Sequence, residues 1–157
     1  MLKKIITSIV VIASLHLTGC ASVPMASVDT DKAKKSFSAP SEGKSGLYVY
    51  RNSSFGSALK KVVTIDGVII GESAPNTYFY KEISPGTHVI STESEFSDNQ
   101  ISVEFQKGVN YFVRQYIKMG VFVGGAGLEA VSEEVGKKGV LECKMALESP
   151  NTNASSK

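Results

Sequence analysis

Histidine, cysteine and paired acids are where a small chain does acid–base or nucleophilic chemistry, and this chain has few of them. Two histidines and two cysteines occur in 157 residues. His88 lies in the body of the chain and could serve a Ser-His-Asp relay with Asp66 or Asp98 and one of many serines. No Gly-x-Ser-x-Gly elbow accompanies it. His88 follows Pro85-Gly86 and alternates with Ile90 and Thr92, so it is expected to satisfy a turn backbone or to pack at a strand start. In the body of the chain, His88 and Cys143 make no zinc cage without carboxylates, and no ligand spacing supports one. Gly125-Ala126-Gly127-Leu128-Glu129-Ala130 formally fits G-x-G-x-x-A. A dinucleotide site also needs a βαβ unit and an acid about 20 residues on. Glu148 is near that offset, but no second parallel strand precedes it, so the glycines are expected to serve a bulge or close packing. No catalytic residue, metal or cofactor is expected.

Cys20 is different, because its surroundings specify a reaction. Lys3 and Lys4 precede a 13-residue apolar run from Ile5 to Leu17. At ~1.5 Å per residue that run spans about 20 Å, short of a hydrocarbon core of roughly 30 Å. It reads as a signal peptide over residues 1–19. Leu17-Thr18-Gly19-Cys20 then matches a bacterial lipobox. The thiol takes a diacylglyceryl group, a signal peptidase cuts after Gly19, and the new amine of Cys20 is acylated. Each buried CH₂ yields ~0.8 kcal/mol, and one chain alone binds only marginally, whereas two or three give a durable anchor. Ala21, not Asp, follows Cys20. In a Gram-negative cell that favours the periplasmic leaflet of the outer membrane. Cys143 is then alone, cannot form an intramolecular disulfide, and is expected to be a small buried hydrophobe.

The rest of the chain must present whatever Cys20 anchors. Cleavage removes Lys3 and Lys4, so 17 basic side chains become 15 against 15 acidic ones. A neutral chain argues against nucleic acid, which needs a basic face. Residues 20–45 read as the lipidated cysteine and a flexible tether, since twelve of residues 21–45 are Ser, Ala or Pro. Residues 46–148 read as one domain, and 149–157 as a disordered tail. Gly46–Arg51 is apolar on both faces and is expected to be a central strand. Leu59–Ile65 and Val68–Gly71 flank Asp66-Gly67, a type I′ hairpin signal. Thr77–Ile83, Thr87–Glu95, the alternating Ile101–Phe105 and Val109–Lys118 follow, with turn residues between them. Leu128–Val131 is a last candidate strand. Ser132, Glu133 and Glu134 start a short helix near 133–143, weakened by about 1 kcal/mol at each of Gly136 and Gly139. The expected fold is mainly all-β: an antiparallel sandwich of about seven or eight short strands with one C-terminal helix.

Two apolar features have open roles. Tyr48, Tyr50, Tyr78 and Tyr80 form i, i+2 pairs, each lining one face of a strand. They are either a candidate binding surface or ordinary sheet packing. Met119–Gly127 is Gly-rich and apolar, with a GxxxG at Gly120 and Gly124. It is too short to span a bilayer. It is expected to be core, with an oligomer contact or partner-binding edge as the alternative.

From Gly46 to about Leu147 the chain resembles small bacterial lipoproteins carrying domain of unknown function 2846. The matching residues are Gly46–Arg51 and the Asp66-Gly67…Ile70-Gly71 hairpin. They continue through Tyr78–Tyr80, Pro85–His88, Gly108–Phe112 and Met119–Gly124. The middle is also similar to PEGA-type extracytoplasmic sandwiches. The resemblance implies a fold and a location and carries no catalytic residues. Taken together, these features lead us to expect a membrane-anchored, non-catalytic envelope lipoprotein. It would contact the bilayer through acylated Cys20 and an envelope protein through a sheet face or edge. A carrier of a small lipid or glycan is the alternative, and a hydrolase using His88 a remote one.

Overall fold

β-Branched and aromatic residues recur with period two between turn residues, and strands form where they do. The computed structural model describes residues 22–149. Its strands are β1 (Ser45–Arg51), β2 (Lys61–Ile65), β3 (Val68–Ser73), β4 (Thr77–Ile83) and β5 (Gly86–Thr92). They continue with β6 (Asn99–Phe105), β7 (Asn110–Lys118), β8 (Gly125–Val131) and β9 (Lys144–Met145). Helix α1 (Val28–Lys34) precedes β1, and helix α2 (Glu133–Leu141) lies between β8 and β9. The expected signal peptide, Cys20 and residues 150–157 of the expected tail lie outside the described residues; Ser149, the first residue of that tail, is instead held to β3, its N donating to Ile70 O at 2.9 Å. No helix among the described residues is long and apolar enough to cross a membrane.

The strands form two sheets, ordered β8-β7-β1-β4-β9 and β3-β2-β5-β6. The second is antiparallel throughout. The first is mixed, because β1 runs parallel to β7 and β4 parallel to β9. β1 is central as expected, paired on both sides and buried along its whole length. The Asp66-Gly67 turn has φ of 51° and 78°, the two positive values a type I′ turn requires.

Leu47, Val49, Phe79 and Val113 of the first sheet meet Val63, Ile65, Ile90 and Phe105 of the second. Buried polar groups also cross this core. Ser73 Oγ donates to Gln115 Oε1, Gln115 Nε2 donates to Thr92 Oγ1 at 2.7 Å, and Thr92 Oγ1 donates to Val62 O at 2.9 Å. Each buried polar atom in that chain is partnered, which removes the cost of about 1–3 kcal/mol for leaving one unsatisfied.

The other face of the first sheet is covered as well, so the domain has three layers. Tyr48, Tyr50, Tyr78, Tyr80 and Phe112 pack there with Val140 and Cys143. α2 lies close because it has no side chains where it crosses the sheet. A Cβ at Gly136 would sit 2.2 Å from Phe112, and one at Gly139 2.2 Å from the Tyr50 ring. The two glycines that weaken the isolated helix are what allow it to dock.

The segment expected to be a flexible tether is ordered over its described part, which corrects that boundary. Met25 bridges to Ala146, and Ala26 N donates to Met145 O at 2.9 Å. Ser27 caps α1 by accepting from Thr30 N, and Asp29 and Asp31 sit in its first turn. α1 buries none of its own residues. It is held by polar contacts instead, which is why hydropathy did not reveal it. Phe37 then packs 5.4 Å from Tyr48 and 5.9 Å from Phe112, centroid to centroid.

Gly139→Ala tests the close approach of α2. Helix propensity alone predicts a gain of up to about 1 kcal/mol. The clash with Tyr50 predicts a net loss of about 1–3 kcal/mol. Urea denaturation should show the loss, with Lys138→Ala as a near-neutral control on the same helix.

Candidate functional site

Two loops at one end of the sandwich carry no charged residue: Asn52–Leu59 (NSSFGSAL), after β1, and Met119–Gly124 (MGVFVG), after β7. They are neighbours because β1 and β7 run parallel side by side. Phe55, Gly56 and Leu59 of the first loop and Met119, Phe122 and Val123 of the second line a cleft of about 250 Å³.

Each loop is held by one charged side chain. Arg51, at the end of β1, is fully buried and has no carboxylate partner among the described residues. Its Nη1 donates to Leu59 O at 2.8 Å, and its Nη2 to Phe55 O at 3.0 Å and Gly56 O at 2.8 Å. Burial pulls its pKa below the usual guanidinium range, yet three carbonyl acceptors keep the cation hydrogen-bonded. Glu95 does the converse for the second loop. Its carboxylate accepts from Val121 N at 2.7 Å, from Phe122 N and from Val123 N at 3.0 Å. Desolvation pushes the Glu95 carboxyl up, but the three amide donors outweigh it and hold the pKa below the ordinary range.

The pinned loops display apolar side chains to solvent. Met119 is 86% exposed, Phe122 84% and Val121 75%, while Phe55 and Val123 are more than half exposed. Phe96, next to Glu95, is 78% exposed. The three phenylalanines alone present on the order of 400 Å², already typical of the largest apolar patch on a monomer. The core role expected for Met119–Gly127 is therefore corrected over residues 119–124, where the alternative as a partner-binding edge fits the geometry, and holds for Gly125–Gly127, which are buried in β8. The strands end at Lys118 and restart at Gly125, so the side chains between have no sheet face to fold onto.

The tyrosines are not a surface. Tyr48, Tyr50, Tyr78 and Tyr80 are all buried, which corrects the candidate binding face in favour of packing. Two of their hydroxyls hold the N-terminal arm. Tyr48 OH donates to Lys34 O at 2.8 Å, and Tyr78 OH donates to Asp31 O at 3.3 Å. Burial pushes the Tyr48 phenol up to about 12, and those of Tyr78 and Tyr80 higher still, so all three remain donors at neutral pH. Cys143 is buried, as expected, and burial pushes its thiol up to about 12.

His88 sits at the start of β5, where a turn role was expected. Nδ1 lies 2.5 Å from Asp66 Oδ2, and Nε2 lies 2.9 Å from Ser84 O. Both partners are acceptors, so the arrangement favours imidazolium, with both nitrogens donating. A serine relay needs one ring nitrogen free to accept a proton, and this geometry offers none. Asp66 Oδ1 also accepts from Val89 N at 2.9 Å. The dyad thus locks the β2–β3 turn to β5. The Gly125–Ala130 motif lies within β8, not at a strand-to-helix turn. At Gly127 a Cβ would meet the Tyr116 ring and Lys118, which is the close packing expected of it. Among the described residues no cluster of three or more His, Cys, Asp or Glu could hold a metal.

Fold and site define a two-sheet β domain with helical cover on one face and a pinned apolar loop end. The chain belongs to the family described as "Protein of unknown function (DUF2846)", which matches residues 41–126. It is 55% identical over 134 residues to an uncharacterized protein of Haemophilus influenzae, covering 85% of this chain and 80% of that one. No solved structure matches.

Two outcomes follow from these contacts. The Asp66 hydrogen bond raises the folded-state pKa of His88 above its ordinary value of about 6.5. A raised folded pKa stabilises fully below the unfolded value, and the contribution is lost as pH rises through the folded one. The His88 hydrogen bond lowers the pKa of Asp66, whose contribution is lost as pH falls through the folded carboxyl value. Wild type should exceed His88→Gln in stability at about pH 5–6, and that difference should shrink towards pH 9 in urea melts. Separately, Glu95→Ala should speed amide exchange at Val121, Phe122 and Val123 while leaving exchange in β1 and β4 unchanged.

Proposed function

We propose that this protein is an envelope lipoprotein, anchored through acylated Cys20, that acts without catalysis as an interaction module. Its contact surface in this reading is the loop end, which docks an apolar face of another envelope protein. The observation that carries it is the pinning of two uncharged loops so that their apolar side chains stay in solvent. Holding such side chains exposed gives up burial worth ~1.5–3 kcal/mol for each large one, which supports a role in binding. The signal-like residues 1–19 and Gly19-Cys20 support the anchor, and Ala21 supports the outer membrane's periplasmic leaflet in a Gram-negative cell. The engagement of both His88 nitrogens supports a non-catalytic role. A small-ligand carrier has less support, because the space between the sheets is filled by side chains such as Phe79, Ile90 and Phe105.

Two variants test the two halves separately. Cys20→Ser should lose acyl labelling and accumulate as unprocessed precursor; full processing with membrane retention would overturn the anchor. Phe122→Asp should remain acylated but lose at least about tenfold in capture of one specific partner from crosslinked envelopes. Equal capture by Phe122→Asp and wild type would overturn the loop end as contact surface.

A further inference from the structure

The docked N-terminal arm limits how far the domain can stand from a bilayer. This argument rests on the proposed anchoring through Cys20. Consecutive Cα atoms are 3.8 Å apart, so Cys20 lies within about 8 Å of Ser22, where the described fold begins, and within about 19 Å of Met25. Val23 already packs on the inter-sheet core, and Met25 is bridged to Ala146. Acyl chains on Cys20 would therefore bring this edge of the domain to the membrane interface and leave no 25-residue spacer to lift it away.

That edge has the chemistry of a bilayer contact. Between the arm, α1 and the end of α2 lies a groove of about 320 Å³, lined by Met25, Val28, Leu141 and Lys144 among others. Val28 is 68% exposed and Leu141 58%. Lys32 lies one helical turn after Val28 and Lys138 one turn before Leu141, and both are exposed, as is Lys144. Of the nearby acids, Asp31 is engaged by Lys35 Nζ at 2.9 Å and by Met145 N at 2.9 Å and Glu142 accepts from Asn52 Nδ2 at 2.8 Å, while Asp29 and Glu134 are exposed on the same two helices. Aliphatic side chains framed by exposed ammonium groups match an interface of acyl chains beneath phosphates.

We infer that this groove edge is the bilayer-facing side of the domain. Met25, Val28 and Leu141 enter the interfacial layer, and Lys32, Lys138 and Lys144 meet lipid phosphates. The charge-free loop end, at the C-terminal ends of β1 and β7, is then left for a protein partner.

The test uses the chain from Ser22 onward, which carries every described element. A hexahistidine tag in place of residues 1–21 holds it to vesicles of phosphatidylethanolamine and phosphatidylglycerol doped with nickel-chelating lipid. This arrangement does not depend on lipidation, which acyl labelling of Cys20→Ser reads separately. Environment-sensitive dyes are placed singly at Val28→Cys, Leu141→Cys and Phe122→Cys. Cys143 is buried with a raised thiol pKa and stays unlabelled at neutral pH. Lipids brominated high on the acyl chain should quench the dye at positions 28 and 141 and leave it bright at 122. Quenching at 122 equal to or greater than at 28 and 141, or quenching at none of them, would overturn the assignment.

Discussion

The tyrosine face of the first sheet has to be dry and hydrogen-bonded at once, and the rest of the architecture answers to that. Four tyrosines and Phe112 bring a large area that must leave water. A buried hydroxyl without a partner would cost about 1–3 kcal/mol. The carbonyls of Asp31 and Lys34 supply two of those partners, at α1 and not within the sheet. The N-terminal arm is thus a structural member of the domain. Its docking covers the β9 edge, brings Phe37 over Tyr48 and Phe112, and creates the groove beside α2. The close approach of α2, through Gly136 and Gly139, finishes the same cover from the other side.

A similar economy of charge shapes the loop end. Arg51 collects carbonyls and Glu95 collects amides, so two irregular segments have their backbone groups satisfied without secondary structure of their own. Both charged residues stand at or just beyond strand ends, which makes their positions rigid. The loops can then be wholly uncharged and apolar at their tips without collapsing onto the core. This is a costly way to arrange Phe55, Met119 and Phe122 unless something covers them, and it separates this end from the groove edge, where lysines frame aliphatic side chains.

His88 shows how a chemically suggestive residue becomes structural. The Asp66 carboxylate that could have oriented a catalytic imidazole instead ties a hairpin turn to β5, and Ser84 O occupies the second nitrogen. Sequence spacing placed His88 beside a turn, and that was sufficient to anticipate the contact with the backbone. It offered Asp66 and Asp98 alike and could not choose between them, because it is the pairing of β2 with β5 that brings Asp66 to His88 across 22 residues.

Local chemistry was enough to place most elements. Asp66-Gly67 dictated its turn by positive φ, apolar and alternating runs between turn residues dictated the strands from Ser45 to Lys118, and Ser132 with two acids dictated the start of α2. Membership of the family was legible in the same turn residues, since they are defined by neighbours in the chain. What lay outside sequence reasoning were the properties that arise between distant segments. Hydropathy cannot tell a tyrosine that faces solvent from one that lies under a helix, so the candidate binding face became core. Nor can it tell an apolar loop in the core from one pinned outside by Glu95. α1 was missed because it buries no side chain and is held by hydroxyls and charges from β1, β4 and its own arm. The sequence by itself determined where most strands and turns lie; only the tertiary structure decided which apolar groups are covered, because burial belongs to the whole packed chain.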